Sequence, residues 1–285
     1  MVLDIEQNTS FSGFTVTHTN VTKRLKVIQY ADDTVLCVKD HKNIYTAIES
    51  LHKFCTTSGL KLNLSKTEAI KTGRNKQVTD CRQKLKWTES TKCLGIYVGH
   101  DKERMNKLNW DLDIESLNNT LTMWKKRDLT LFGKILIIKS LGISKLIYTA
   151  MNTYIPEYVI GKVNKLLYNF IWKNKDRIKC HTIINKLEEG GLNMIDIECQ
   201  FQAVKATWIP RILSQSDQNW PAISLYFFNK IAPNNIWLHM NVDTETCMPS
   251  IKSIPSFQKQ ILLSFNKTKK VKNPENKKDL YNQII

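Results

Sequence analysis

Residues 26–38 read KVIQYADDTVLCV and place two adjacent aspartates between two apolar arms. Both arms are rich in β-branched and aromatic residues, which are enriched in strands. Two such arms around a short acidic centre predict an antiparallel hairpin with the aspartates at its turn. Because the arms are apolar on both faces, we expect this hairpin to be buried.

The two neighbouring carboxylates, Asp32 and Asp33, suggest a bound cation, because like charges repel. Mg²⁺ prefers hard oxygen ligands such as carboxylates. A pair of these ions catalyses nucleotidyl transfer when one activates the attacking hydroxyl and the other stabilises the leaving pyrophosphate. A hairpin fixes the position of such carboxylates. Solvated Asp-Asp pairs are common in turns, so an ordinary solvated turn stays open as an alternative.

The residues after the hairpin predict one helix followed by short strands. Apolar residues at helical spacing mark the helix, at Ile44, Ile48, Leu51 and Cys55. Gly59 is a residue type that commonly ends helices. Strands are predicted at residues 60–64, 69–72 and 92–98.

After about residue 102 the pattern becomes mostly helical. Apolar periodicity predicts helices at residues 108–126, 131–148, 158–173 and 197–213. The last of these is expected to bend or end near Pro210. A mixed first part followed by helices predicts an α+β fold.

Basic residues dominate the charge of the chain, with 42 Lys and Arg against 26 Asp and Glu and a formal net charge of +16. Residues 251–285 carry eight lysines against only Glu275 and Asp279. This positive charge suggests a polyanion such as nucleic acid as the binding partner. The alternative is a basic surface that only keeps the protein soluble. We expect the last twenty residues, polar and rich in lysine, to be frayed.

The seven cysteines form no C-x-x-C pair and have no zinc-finger spacing with histidine. We therefore expect reduced thiols in an intracellular protein. The N-terminus shows no basic segment followed by an apolar run, as a secretory signal would. The most apolar stretch, residues 131–148, contains three lysines, so we expect no membrane partner.

Several segments resemble reverse transcriptases of the LINE-type (non-LTR) retrotransposons. Residues 29–34 (QYADDT) are similar to the catalytic hairpin of that family. Later blocks follow in the family's order: residues 59–68 (GLKLNLSKTE), 92–98 (KCLGIYV, similar to the primer-grip hairpin), 129–141 (similar to the thumb helix entry), and 170–175, 190–193 and 206–208 after the thumb. The resemblance covers about residues 13–213.

This resemblance implies an α+β architecture that is the C-terminal half of a polymerase palm, an antiparallel sheet with a helix, followed by a mostly helical thumb and connector. The implied domains are the partial palm at residues 1–101, the thumb-like region at 102–178, and a post-thumb connector with a basic tail at 179–285.

The resemblance also implies roles for single residues. Asp32 and Asp33 would be catalytic and would bind Mg²⁺, and Lys66 would lie near the triphosphate as an acid toward the leaving group. The implied nucleic-acid-binding residues are Tyr30, Ala31, Leu94 and Gly95. The implied partners are an RNA template, a DNA primer and a dNTP, in the cytoplasm and nucleus. A solvated Lys66 and a simple strand bend at Gly95 stay open as alternatives.

The family's metal site also needs an aspartate from an earlier strand, and only 29 residues precede Tyr30. Asp4 is rejected for this role, because the family's Ala-Phe-Asp continuation and the intervening helix are lacking. We therefore expect a fragment of an RNA-directed DNA polymerase that is inactive alone. The alternatives are a remnant that binds RNA or an RNA–DNA hybrid without chemistry, and a pseudogene product.

Overall fold

The computed structural model describes residues 2–10, 12–18, 21–72, 85–172, 178–214, 218–238 and 251–268. They divide into two compact units, residues 1–101 with 212–236 and residues 102–211 with 237–285. Small sheets in the first unit and helices in the second form the expected α+β fold. Five of the eight lysines of residues 251–285, and most of the twenty terminal residues expected to be frayed, lie outside the described residues.

The first unit begins with helix α1 (Val2–Gln7) and three antiparallel hairpins separated by a helix and a short parallel pair. The strands and helix, in chain order, are β1 (Phe14–His18), β2 (Val21–Leu25), β3 (Val27–Tyr30), β4 (Asp33–Leu36), α2 (His41–Ser58), β5 (Glu68–Ala69), β6 (Lys86–Trp87), β7 (Ser90–Cys93) and β8 (Ile96–Gly99).

Helix α2 forms where its apolar periodicity predicted it. Asp40 caps its first turn, because the Asp40 carboxylate accepts a hydrogen bond of 3.0 Å from the Asn43 main-chain nitrogen. Gly59 follows the helix at φ 72°, a left-handed conformation that glycine adopts without steric cost. The predicted helix and its predicted end are confirmed.

The β3–β4 hairpin is confirmed, but the expectation that it is buried is wrong. Val27 packs in a small core with Ile5, Ala47 and Leu51. Successive side chains point to opposite faces of a strand, so Ile28 points away from that core and is 45% exposed. The core covers one face of the hairpin only. The presence of apolar residues on both faces therefore did not mean that both faces are buried.

Three further strand predictions need correction. Residues 60–64 form no strand, and the next strand is limited to β5. Residues 92–98 are not one strand but the larger part of the β7–β8 hairpin. The chain reverses there because Leu94 and Gly95 both have positive φ angles, of 46° and 86°.

The later helices, in chain order, are α3 (Lys102–Lys125), α4 (Leu131–Ile137), α5 (Ser144–Asn152), α6 (Glu157–Trp172), α7 (Cys180–Ile184), α8 (Ile197–Ala206), α9 (Trp208–Ser214), α10 (Pro221–Phe228) and α11 (Ser256–Thr268). A π-helical turn, Ile138–Gly142, separates α4 from α5. Short 3₁₀ turns occupy Leu187–Glu189 and Ile236–Leu238. Helix α10 belongs to the first unit, where it packs against β1.

Helix α6 confirms the prediction at residues 158–173, whereas two other predicted helices are divided. The helix predicted at 131–148 is interrupted by the π-helical turn. The helix predicted at 197–213 divides at Thr207, and Pro210 lies in the first turn of α9. A proline there removes no helical hydrogen bond, because main-chain nitrogens of a first turn have no partner within the helix.

The second unit has one large apolar core around Trp110 of α3. The indole of Trp110 lies 5.8 Å from the ring of Phe201 in α8, and its Nε1 donates a hydrogen bond of 2.9 Å to the Tyr154 carbonyl. Val163 and Leu167 of α6 are fully buried in the same core. Residues on both sides of the predicted boundary at 178/179 thus pack together, and the three predicted domains stay a prediction.

Four cysteines of the described residues are free thiols, at Cys37, Cys55, Cys93 and Cys199. Among the described residues, no helix is both long enough and apolar enough to cross a bilayer.

Substitution of Gly191 tests the tight turn before α8. An added Cβ would lie 2.0 Å from the Asn185 carbonyl oxygen, whereas an added Cβ at Gly161 in α6 meets open space. We expect Gly191→Ala to lower the free energy of unfolding by about 1–3 kcal/mol, the usual range for forced overpacking. Gly161→Ala should raise it by up to about 1 kcal/mol. Urea unfolding measures the free energy of unfolding of both variants. Equal values would contradict the close approach of Gly191 to the Asn185 carbonyl.

Candidate active site

The tip of the β3–β4 hairpin is a two-residue turn formed by Ala31 and Asp32. The strand register ends on the pair Tyr30 and Asp33. Ala31 has a φ angle of 51°, while Asp32 is not among the residues with positive φ. Positive φ at the first central residue alone is the pattern of a type II′ turn, where glycine is usual. The Gln29 side-chain amide donates a hydrogen bond of 3.0 Å to the Ala31 carbonyl and supports this turn.

Asp32 and Asp33 are both exposed at this tip. Their carboxylates are hard oxygen donors that solvent and ligands can reach, which is the chemistry Mg²⁺ prefers. Mg²⁺ sites often use only one or two protein carboxylates and complete the shell with water and phosphate oxygens. Within the described ranges, no group of three or more His, Cys, Asp or Glu side chains is arranged to hold a metal ion. The turn therefore offers two exposed carboxylates of the donor type that Mg²⁺ prefers.

Tyr30 lies beside the two aspartates with an exposed aromatic ring. Its side chain is 68% exposed and stands on the same open face of the hairpin as Ile28 and Val35. An exposed tyrosine can stack on a nucleotide base or sugar. The turn therefore combines two carboxylates with an accessible aromatic surface.

Lys66 lies in a separate turn after α2. Its main-chain nitrogen donates to the Asn63 carbonyl at 3.2 Å, and the Asn63 side-chain oxygen lies at the same distance. Hydrogen bonds from an asparagine side chain to the main chain are a common device in turns. The side chain of Lys66 is exposed. Its role toward a leaving group stays a prediction.

Leu94 and Gly95 form the turn of the β7–β8 hairpin, with positive φ at both residues, as in a type I′ turn. The Glu68 carboxylate joins this hairpin to the β5–β6 pair, because it accepts hydrogen bonds from Lys86, at 2.5 Å, and from Thr91. These two hydrogen bonds lower the pKa of Glu68. The turn is thus anchored through its first strand.

The structure brings four of the predicted site residues together at one tip, namely Tyr30, Ala31, Asp32 and Asp33. Lys66 occupies a different turn, and Leu94 with Gly95 occupies a second hairpin. The catalytic and nucleic-acid-binding roles of these residues stay predictions.

Lys205 is a buried lysine that the sequence reading did not identify. Its side chain is 1% exposed, its Nζ donates to the Thr153 carbonyl, and the Phe257 ring centroid lies 4.1 Å away. Burial lowers the pKa of Lys205 to about 7. The available signal was its position four residues after Phe201, on the apolar face of α8.

Lys205 and Trp208 hold the main-chain carbonyls at the end of α5. The Trp208 Nε1 donates a hydrogen bond of 2.8 Å to the Met151 carbonyl, and Lys205 donates to the same carbonyl at 3.5 Å. Carbonyls at a helix C-terminus have no partner within the helix and need such donors. Both residues therefore act in the packing of the second unit.

Residues 8–98 match the family described as reverse transcriptase (RNA-dependent DNA polymerase). The chain is also 23% identical over 214 residues, 73% of its length, to the "Transposon TX1 uncharacterized 149 kDa protein" of Xenopus laevis. It is 19% identical over 130 residues, 43% of its length, to an Arabidopsis thaliana protein named "Putative ribonuclease H protein". The chain spans only 16% and 21% of these two relatives.

The β3–β4 hairpin, with Asp32 and Asp33, lies inside the segment that matches the reverse transcriptase family. The similarity to the transposon protein spans 214 residues and therefore extends beyond this segment.

Substitutions of Ala31 test the left-handed conformation at the turn. An L-residue pays about 1–2 kcal/mol there, a cost that glycine does not pay, and a β-branched residue is a genuine outlier. We expect Ala31→Gly to leave the free energy of unfolding unchanged or raise it by up to about 1 kcal/mol. Ala31→Val should lower it by about 1–2 kcal/mol. Denaturant unfolding measures the free energies of unfolding of the two variants. A valine variant that is more stable than the glycine variant would refute the turn geometry.

Proposed function

We propose that this chain is a segment of a LINE-type reverse transcriptase, and that its β3–β4 hairpin presents Asp32 and Asp33 to the metal ions of RNA-directed DNA synthesis. The observation that carries this proposal is the exposure of both carboxylates at one supported two-residue turn. This turn lies within the segment that matches reverse transcriptases.

Asp32 and Asp33 would hold Mg²⁺ through their carboxylate oxygens. When bound, Mg²⁺ supplies activation of the primer 3′-hydroxyl and stabilisation of the leaving pyrophosphate. The cross-strand pair of Tyr30 and Asp33 keeps the aromatic ring beside the carboxylates. Tyr30 and Ala31 would contact the primer end, and a rigid hairpin would keep these contacts in one geometry.

The other elements take their proposed roles from the same family. Residues 1–101 would be the C-terminal half of the palm, and the helices after residue 101 would include the thumb and connector. Leu94 and Gly95 would form the primer grip, where Gly95 lets the main chain approach a strand closely because it has no Cβ. Lys66 would lie near the triphosphate. The proposed partners are an RNA template, a DNA primer and a dNTP, in the cytoplasm and nucleus.

Asp32→Asn tests the metal assignment by direct measurement of Mn²⁺, which replaces Mg²⁺ and is visible by electron paramagnetic resonance. The wild-type chain is titrated with Mn²⁺ in the presence of an RNA–DNA primer–template. Loss of one carboxylate charge should weaken Mn²⁺ binding by about tenfold or more, since even the groups that only orient a ligand contribute 10–100-fold.

Asp128→Asn is the matched control, because it removes the same charge from an exposed aspartate in the second unit. We expect its Mn²⁺ titration to overlay the wild-type curve. If Asp32→Asn also overlays that curve, the turn does not hold the metal ion and the catalytic assignment fails.

A second candidate function, binding of RNA or an RNA–DNA hybrid without chemistry, is favoured by the net charge of +16. Lysines that neutralise phosphates release counterions, so the logarithm of the affinity falls linearly with the logarithm of the salt concentration. We expect fluorescence anisotropy to show that the affinity of the wild-type chain for RNA falls in this way as the salt concentration increases. Asp32→Asn should show the same dependence on salt. An affinity that is equal at low and high salt would count against both functions.

A further inference from the structure

A cavity of about 380 Å³ lies in the first unit, beside strand β2. It is lined by Glu6, Thr22, Lys23, Arg24, Lys26 and Asn219. Its volume falls in the range of pockets that bind small ligands. None of these residues belongs to the β3–β4 turn or to the other predicted site positions.

The lining of this cavity is cationic. It includes three cationic residues, Lys23, Arg24 and Lys26, and one acidic residue, Glu6. The Glu6 carboxylate accepts a hydrogen bond of 3.4 Å from the Asn219 side chain. Three cations around one carboxylate leave a net positive field in a concave site, and such a field concentrates anions.

Lys26 is held in place within this lining. It is 5% exposed, and its Nζ donates to the main-chain carbonyl of Glu6, at 2.9 Å, and to that of Asn8. Burial lowers the pKa of Lys26, and the nearby Arg24 guanidinium lowers it further. Two like charges therefore lie close to one another at this wall, and a bound anion would relieve their repulsion.

We infer that the cavity is a phosphate-binding site with Arg24 as its principal donor. A guanidinium presents a planar fork of N–H groups that matches two phosphate oxygens. Lys26 adds a second cation, and Thr22, on the same face of β2 as Arg24, adds a hydroxyl. The phosphate can be a phosphodiester of a bound nucleic-acid strand or a free phosphate group, since both present the same oxygens.

Thermal unfolding with inorganic phosphate tests the site directly. A ligand that binds the folded chain raises the unfolding midpoint and saturates with concentration. We expect this shift for the wild-type chain when phosphate replaces chloride at equal ionic strength. Arg24→Gln should weaken the apparent phosphate affinity by about tenfold or more, because it removes a charge-assisted hydrogen bond. Lys61→Gln, which removes an equal charge at an exposed position of the same unit, should keep the wild-type shift.

The unfolding midpoint measured in chloride, without phosphate, shows whether each variant is folded. Arg24→Gln removes the positive charge beside Lys26, so its midpoint without phosphate should equal or exceed that of the wild type. A phosphate-dependent shift that is the same in Arg24→Gln, Lys61→Gln and the wild type overturns the proposal, as does the absence of any shift in the wild type.

Binding of a single-stranded RNA oligonucleotide distinguishes the two sources of phosphate. If the site takes the strand, Arg24→Gln should reduce the salt slope of RNA binding by about 1 relative to Lys61→Gln. If Arg24→Gln loses the phosphate shift but keeps the slope, the site takes a free phosphate group. Neither result depends on Asp32, so this test is separate from that of the metal ligands.

Discussion

The packing of Val27 against Ile5, Ala47 and Leu51 sets the position of the β3–β4 hairpin. Side chains alternate along a strand, so a slip of one residue would move Val27 to the open face and change the residues at the turn. The exposed positions of Asp32 and Asp33 therefore depend on an apolar contact made near the other end of the same strands. Lys26, directly before Val27, extends this anchor with its hydrogen bonds to main-chain carbonyls in the last turn of α1 and directly after it.

The sequence was sufficient to predict the elements that depend on local pattern. Helix α2, with its end at Gly59, and helix α6 followed from periodicity and residue type. The features that depend on packing were missed. The hairpin has apolar residues on both faces, and this pattern did not indicate that one face is exposed. No residue pattern indicated the π-helical turn at Ile138–Gly142. At the candidate site, the turn residues were predicted together, but the sequence alone could not show where Lys66 and the Leu94–Gly95 turn lie relative to them.

The comparisons cover different parts of the chain. The reverse transcriptase family match ends at residue 98. The similarity to the Xenopus laevis transposon protein extends over 214 residues, so it must include part of the helical second unit. The similarity is therefore not confined to the segment that the family match covers.

Lys205 makes the stability of the second unit depend on pH. Its pKa of about 7 in the folded chain is below its ordinary value of 10.5, so the unfolded chain binds more protons at any pH between these two values. The free energy of unfolding therefore increases with pH across that interval. The neutral amine can still donate hydrogen bonds to the carbonyls after α5. Mildly alkaline solution thus favours the folded form through this one side chain, and the buried contact is retained as its charge is lost.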